Sequence, residues 1–168
     1  MALLTTAQDH DVSLRLVEAT VQANDLRKRA MGRKIIHAMG GDARGKKVAV
    51  LGLTFKPNTD DMRDSPALSI VQALLDAGAD VAAYDPEGMA IAAPMMPAVQ
   101  MTESAYQAAE GADAIAIVTE WDAFRALDFA RLSELVNAKL LVDLRNIYRR
   151  DEVERQGFTY IGIGTSAR

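Results

Sequence analysis

Between Lys46 and Pro66 the chain reads KKVAVLGLTFKPNTDDMRDSP. Two cations, Lys56 and Arg63, stand in a polar loop between a short apolar run and a helix start at Ser65-Pro66. A helix N-terminus presents unsatisfied N–H groups and a partial positive charge, so two cations beside one could hold a phosphate or pyrophosphate. The same loop contains Asp60, Asp61 and Asp64. The alternative is that these carboxylates pair with Lys56 and Arg63 and pin the loop, and a pinned loop is also a preorganised one. Asp85 closes a second apolar run, where a carboxylate commonly accepts bonds from ribose hydroxyls, although Asp-Pro is also an ordinary strand terminator. Arg145 follows another apolar run, and its planar guanidinium suits two-point contact with phosphate or carboxylate. Trp121 reads either as a stacking surface for a ligand or as packing at a domain interface.

Other chemistries lack their residues. The chain has no cysteine, so it carries no disulfide, thiolate metal site or cysteine nucleophile. Its two histidines, His10 and His37, are far apart in sequence, which argues against a zinc site, and no Ser/His/Asp set is evident. A net charge of -4 and a pI near 5.2 disfavour a nucleic-acid backbone as partner but leave room for a small anion, which needs only two or three cations. No apolar run is long enough to span a membrane, and no basic-then-apolar leader opens the chain, so a cytoplasmic location is the default expectation.

The elements that would position these residues alternate in type. Leu3, Leu4 and Ala7 could share one face of a short helix that begins in mid-pattern, as in a fragment headed by an added or retained methionine. Ser13 is the expected cap of a long helix with apolar residues at Leu14, Val17, Val21 and Leu26 and again at Met31, Ile35 and Met39, stopped by Gly40-Gly41. So long a helix needs a partner along its length, often a second copy, while Arg27, Lys28 and Arg29 in its middle could simply face solvent. Strands are expected at 48–53, 81–84, 99–102, 114–119, 140–144 and 159–163, with helices at 67–77, 103–110, 128–136 and 151–156. Residues 87–97 are the least regular. Continuous apolar strands alternating with helices predict an α/β fold: a long N-terminal helix followed by a Rossmann-like three-layer domain with a mostly parallel sheet. The expected division is 1–41, a helical linking region, and 42–168, the sheet domain. Ligands of such sheets bind at the carboxyl ends of the strands, where the polar residues above are concentrated. The first strand is followed by GLTFKP and not G-x-G-x-x-G, so the compact glycine turn for a dinucleotide pyrophosphate is missing.

Taken together, LGLTFKPNTDDMRDSP, YDPEGM at 84–89, EW at 120–121 and VDLRNIY at 142–148 resemble, in order, the C-terminal domain of the UDP-glucose 6-dehydrogenase family of nucleotide-sugar dehydrogenases. VQANDLRKRAM at 21–31 resembles its central linking helix. GDP-mannose and UDP-N-acetylmannosamine dehydrogenases share the general pattern, and the DLRN and YDPEGM forms look more like the UDP-glucose branch. The resemblance implies an enzyme that oxidises UDP-glucose to UDP-glucuronate with two NAD and no metal. It implies an N-terminal domain for NAD, a C-terminal domain for UDP, and a homodimer through the long helix. It places Phe55 and Lys56 at the nucleotide-sugar, Arg145 in contact with it, and Arg63 on the NAD side. A basic residue of the 27–29 stretch, Lys28 or Arg29 among them, reaches the neighbouring subunit's substrate. The family's catalytic cysteine lies in a GGSCFPKD-like motif absent from this chain, as are its catalytic lysine and asparagine and its NAD fingerprint. The resemblance therefore implies no catalytic residue here and a chain inert by itself. The other readings are a stand-alone nucleotide-binding module and a purely structural dimerisation domain.

Overall fold

The structure is a computed structural model that describes residues 2–164. Helix α1 (Ala2–Asp9) is followed by the long α2 (Arg15–Ala38). The expected Ser13 cap is corrected here: Leu14 occupies the N-cap position and no side chain caps the helix. The chain leaves α1 through a bond from the Val12 amide to the Ala7 carbonyl and through Asp11 in the left-handed region, and α2 starts so that Ser13 lies one residue before the N-cap. At the other end, Gly40 and Gly41 have φ of 90° and 86°. Their amides return to the His37 and Ile36 carbonyls, the αL arrangement that glycine adopts without steric cost.

The remaining elements are β1 (Lys47–Leu51), α3 (Pro66–Asp76), β2 (Asp80–Tyr84), α4 (Met89–Met95), β3 (Gln100–Met101), α5 (Ala105–Ala109), β4 (Ala114–Ile117), α6 (Phe129–Leu135), β5 (Leu140–Asp143), α7 (Arg150–Glu154) and β6 (Thr159–Gly162). A 3-10 turn at Asp122–Ala126 fills the stretch between β4 and α6. The region expected to be least regular contains α4, which includes Pro94 near its end.

All strand pairs are parallel, in the order β3-β2-β1-β4-β5-β6. This is the doubly wound Rossmann order, with its switch point between β1 and β4. Strand side chains alternate between faces. Val48 and Val50 of β1 therefore join one apolar layer, with Ile35 of α2, Ile70 and Leu74 of α3 and Ala92 of α4. Ala49 and Leu51 join the other, with Ala108 of α5, Leu132 of α6 and Val153 of α7. Both faces are covered, which is why the strands read as unbroken apolar runs.

The C-terminal half of α2 shares the core of the sheet domain. Ile35 is fully buried and Met39 nearly so. Gly32 makes this approach possible: a Cβ there would lie 2.6 Å from the Ala73 Cβ of α3. Gly32→Ala is expected to destabilise the chain despite a gain of about 1 kcal/mol in helix propensity, because overpacking two fixed backbones costs roughly 1–3 kcal/mol. Thermal unfolding should show a fall of a few degrees, and adding Ala73→Gly should restore most of it. The N-terminal half of α2 is different. Leu16 is 85% exposed and Leu26 63%, with exposed Ala19 and Ala23 between them at spacings of three and four residues. Among the described residues no helix is long and apolar enough to cross a membrane.

Candidate functional site

The middle of the loop after β1 is held by its own backbone and by one ion pair. The Phe55 amide donates to the Asp61 carbonyl at 2.9 Å, and Asn58 and Asp64 take the left-handed conformation that their short polar side chains tolerate. Arg63 grips Asp61 at two points, Nε to Oδ1 and Nη2 to Oδ2, each 2.9 Å. The guanidinium and the Arg63 amide hold the Asp61 carboxyl at a pKa of about 2. Of the three candidate carboxylates only Asp61 pairs, and Lys56 forms no ion pair among the described residues. Ser65 closes the loop: its hydroxyl donates to the Leu53 carbonyl at 2.6 Å and accepts from the Ala67 amide at 3.2 Å. The expected cap at Ser65, with Pro66 at the first helical position, is present.

This connection does not fit a dinucleotide pyrophosphate. Residues 52–65 separate β1 from α3, and the capping bond occupies an N–H at the helix start. Gly52, at φ +93°, serves instead for close contact with the β4 loop: a Cβ there would lie 2.6 Å from the backbone nitrogen of Thr119.

Asp85 is 1% exposed. Its Oδ2 accepts from the Leu53 and Thr54 amides (2.6 and 3.0 Å), the Thr54 hydroxyl (3.1 Å) and the Trp121 indole N–H (3.1 Å). Its Oδ1 accepts from the amides of Glu87 and Gly88 at 3.0 and 2.8 Å. Burial raises the carboxyl's pKa, but the four amides outweigh it and hold the pKa below the ordinary value. Asp85 therefore ties three loops together and has no acceptor capacity turned to a ribose, which corrects that reading. Trp121 is 6% exposed and buried in the β4 loop, so its indole is not a stacking surface.

The segment Thr119–Trp121 anchors the other carboxyl-end loops. The Thr119 hydroxyl donates to the Thr54 carbonyl at 2.7 Å, and Trp121 binds Asp85 as above. Glu120 takes the Arg145 guanidinium at two points, Nε to Oε2 and Nη2 to Oε1, the latter 2.7 Å. The hydrogen bonds from Arg145 push the Glu120 pKa below its ordinary value. The Arg145 amide donates to Asp143, a fully buried carboxylate that also accepts from the Tyr148 amide and the Tyr160 hydroxyl. After it, Asn146 (φ 52°) bonds both the amide and the carbonyl of Ile163.

These loops and α2 enclose a cleft of about 460 Å³. From α2 come Val21, Asn24, Lys28 and Met31, one face at spacings of three and four residues, flanked by Asp25 and Arg27. From the sheet end come Phe55, Asp64, Val118, Leu144 and Arg145. Phe55 is 51% exposed, an unusual position for a phenylalanine unless something covers its ring. Lys28 lies 3.8 Å from Asp25. The cleft thus combines an apolar floor with cations from two sides.

Of the residues singled out in the sequence, Phe55, Lys28 and Arg145 line this cleft together. Lys56 is not in its lining. Arg29 faces a second groove between α2, α3 and the end of α4, and Arg63 extends into solvent with its side chain 89% exposed. Asn24, Asp64 and Glu120 carry no predicted site role: Asp64 is read from the sequence only as a loop carboxylate, and Glu120 only as part of the EW motif at 120–121. The helical spacing of Asn24 with Lys28 and Met31 is the signal available for the first, whereas the contact of Glu120 with Arg145 has no local signature. Among the described residues no group of three or more His, Asp and Glu is arranged to hold a metal.

Residues 49–150 match the model of the "UDP-glucose/GDP-mannose dehydrogenase family, UDP binding domain". The chain is 63% identical over 164 residues to UDP-glucose 6-dehydrogenase of Rhizobium meliloti (strain 1021), covering 98% of this chain and 38% of the relative. It is 38% identical over 167 residues to UDP-glucose 6-dehydrogenase of Rickettsia bellii, again covering 98% and 38%. Among solved structures, a UDP-glucose dehydrogenase from Pyrobaculum islandicum superposes with a TM-score of 0.77 at 26% identity, over 98% of this chain and 36% of that one. The chain thus spans under two fifths of the length of these relatives. With the Rossmann strand order, the loops of residues 52–65 and 145–148 and the family match over the same residues, the chain belongs to the UDP-glucose/GDP-mannose dehydrogenase family and contains its UDP binding domain.

Proposed function

We propose that this chain is the UDP-sugar-binding portion of a UDP-glucose 6-dehydrogenase, an enzyme that oxidises UDP-glucose to UDP-glucuronate with two NAD. The observation that carries the reading is the cleft in which Arg145, Phe55 and Lys28 converge at the carboxyl end of the sheet. Its volume and mixed lining suit a nucleotide. Arg145 and Lys28 supply donors and charge, and the exposed Phe55 ring supplies an apolar wall. Lys56, on the same loop as Phe55, forms no ion pair among the described residues and approaches the sugar or its phosphates. The 63% identity to the Rhizobium meliloti enzyme favours glucose over the sugars of the other family members.

Residues 42–168 form the UDP-sugar-binding domain, and residues 1–41 belong to the linking and dimerisation helices. The exposed Leu16, Ala19, Ala23 and Leu26 of α2 form an apolar stripe suited to a second copy of the helix, which supports a homodimer through α2. One basic residue of the 27–29 stretch reaches toward the neighbouring subunit's substrate, and Arg29, which does not line this chain's own cleft, is the one placed to do so. NAD is bound by the part of the relatives that this chain does not match, with Arg63 directed to that side. Oxidation through a cysteine-bound intermediate needs a residue this sequence does not contain. A cytoplasmic location follows from this use of UDP-sugar and NAD.

Calorimetric titration tests the reading. UDP and UDP-glucose should bind, NAD should not, and no NADH should form when both are mixed with the chain. Arg145→Ala should weaken UDP binding by about tenfold or more, the value of a lost charge-assisted hydrogen bond. Tight NAD binding with no UDP binding would overturn the assignment.

A further inference from the structure

Arg145 does not enter the cleft as a free cation. Both ends of the residue are fixed by groups outside the cleft. Its backbone amide is held by the buried Asp143, and the following turn is fastened to Ile163 through Asn146. Its guanidinium is held along one edge by Glu120, through Nε and Nη2. Arginine has five N–H donors. The Glu120 contact takes the Nε donor and one on Nη2, which leaves the pair on Nη1 and the second on Nη2. These remaining donors form the end-on fork, an edge suited to two-point contact with an oxygen-bearing ligand.

Glu120 is itself well placed to act as a fixed support. Its neighbours Thr119 and Trp121 are buried and bonded to Thr54 and Asp85, on the loops after β1 and β2. The carboxylate therefore hangs from a segment whose flanks are anchored, and it is absent from the lining of the cleft that Arg145 enters. An arginine stem without such support loses several rotatable bonds' worth of freedom when it binds a ligand. A guanidinium already held along one edge has lost most of that freedom beforehand.

We infer that Glu120 is a positioning residue for the nucleotide site: it holds the Arg145 guanidinium so that its free edge faces the ligand. The inference rests on the proposed UDP-binding role of the cleft and adds a residue outside its lining. Glu120 does not touch the ligand. It sets the orientation of Arg145 and partly neutralises its charge, so that Arg145 contributes direction and Lys28 and Arg27 contribute most of the attraction for phosphate.

The test is a double-mutant cycle on UDP affinity with Glu120→Gln, Arg145→Ala and the pair, together with hydrogen exchange of the Arg145 Nε–H by NMR in the ligand-free chain. Glu120→Gln keeps the shape and removes the charge. It should weaken UDP about tenfold, the scale of a bond to a charged group. The double variant should bind no more weakly than Arg145→Ala alone, because Glu120 works only through Arg145. The Nε–H should exchange slowly in the unaltered chain and quickly in Glu120→Gln. Multiplying losses in the double variant would overturn the inference, since they would mean independent roles. So would unchanged or tighter binding by Glu120→Gln, which would make Glu120 a bystander or a competitor for the guanidinium. If the unaltered chain binds no UDP, the reading of the cleft fails, and the positioning role is then decided by Nε–H exchange alone.

Discussion

Replacing Asp85 with alanine is expected to lower the unfolding free energy by about 3–5 kcal/mol, the range for removing one partner from a buried charged network. The carboxylate accepts from four backbone amides, a hydroxyl and an indole, drawn from the loops after β1, β2 and β4. Alanine would leave these donors buried or drive the loops apart, and each buried unsatisfied group costs about 1–3 kcal/mol. Asp85→Asn should cost less, since one oxygen still accepts, but its amide nitrogen would face donors. Urea unfolding at neutral pH measures both.

The same substitution carries a pH signature. The folded-state pKa of Asp85 lies below its unfolded value of about 3.9. A depressed carboxyl stabilises the fold above the unfolded pKa and loses that contribution as the pH falls through the folded one. The unaltered chain should therefore lose stability more steeply below about pH 4 than Asp85→Asn. The exposed Asp42 and Asp61, also depressed by arginine partners, are present in both proteins and cancel in the difference. Parallel slopes for the two proteins below pH 4 would refute the assignment of Asp85 as an ionised anchor.

Gly52→Ala is the second large effect. The residue has φ +93°, where an L side chain is strained by roughly 1–3 kcal/mol. A Cβ would also lie 2.6 Å from both the backbone nitrogen and the Cβ of Thr119, and 2.9 Å from its Cα. Backbone cannot rotate away as a side-chain tip can, so β4's carboxyl end must shift, at a further roughly 1–3 kcal/mol. The expected total is about 3 kcal/mol or more. The displaced segment is the one from which Glu120 and Trp121 extend, so UDP affinity should fall along with stability. Calorimetry on the folded fraction of Gly52→Ala checks this, and a variant that unfolds early but binds UDP normally would separate the two effects.

The order and type of most elements are legible in the chain alone. Apolar runs, helical spacing, the Ser65-Pro66 start and the Gly40-Gly41 stop are local properties, and local sterics and hydrogen bonding decide them. The family is legible there too, because the loops after β1 and β5 keep their residues in a recognisable order, and cysteine chemistry is excluded outright. Ser13 misled because the turn closing α1 took over the entry to α2. Tertiary structure decided which loop residues meet. Asp85 reads in sequence as a ligand carboxylate or a strand end, and it became an interior anchor only because β2's end lies beside β1's, with the Trp121 indole reaching it from 36 residues away. Of three neighbouring acidic residues, only the backbone path of the loop selected Asp61 for Arg63. Lys28 and Arg29 are adjacent in sequence but line different grooves, because the helix turns about 100° between them and α3 packs on one side only. The Glu120 support of Arg145 spans 25 residues and exists because parallel β4 and β5 are neighbours, so their carboxyl-end loops must lie side by side.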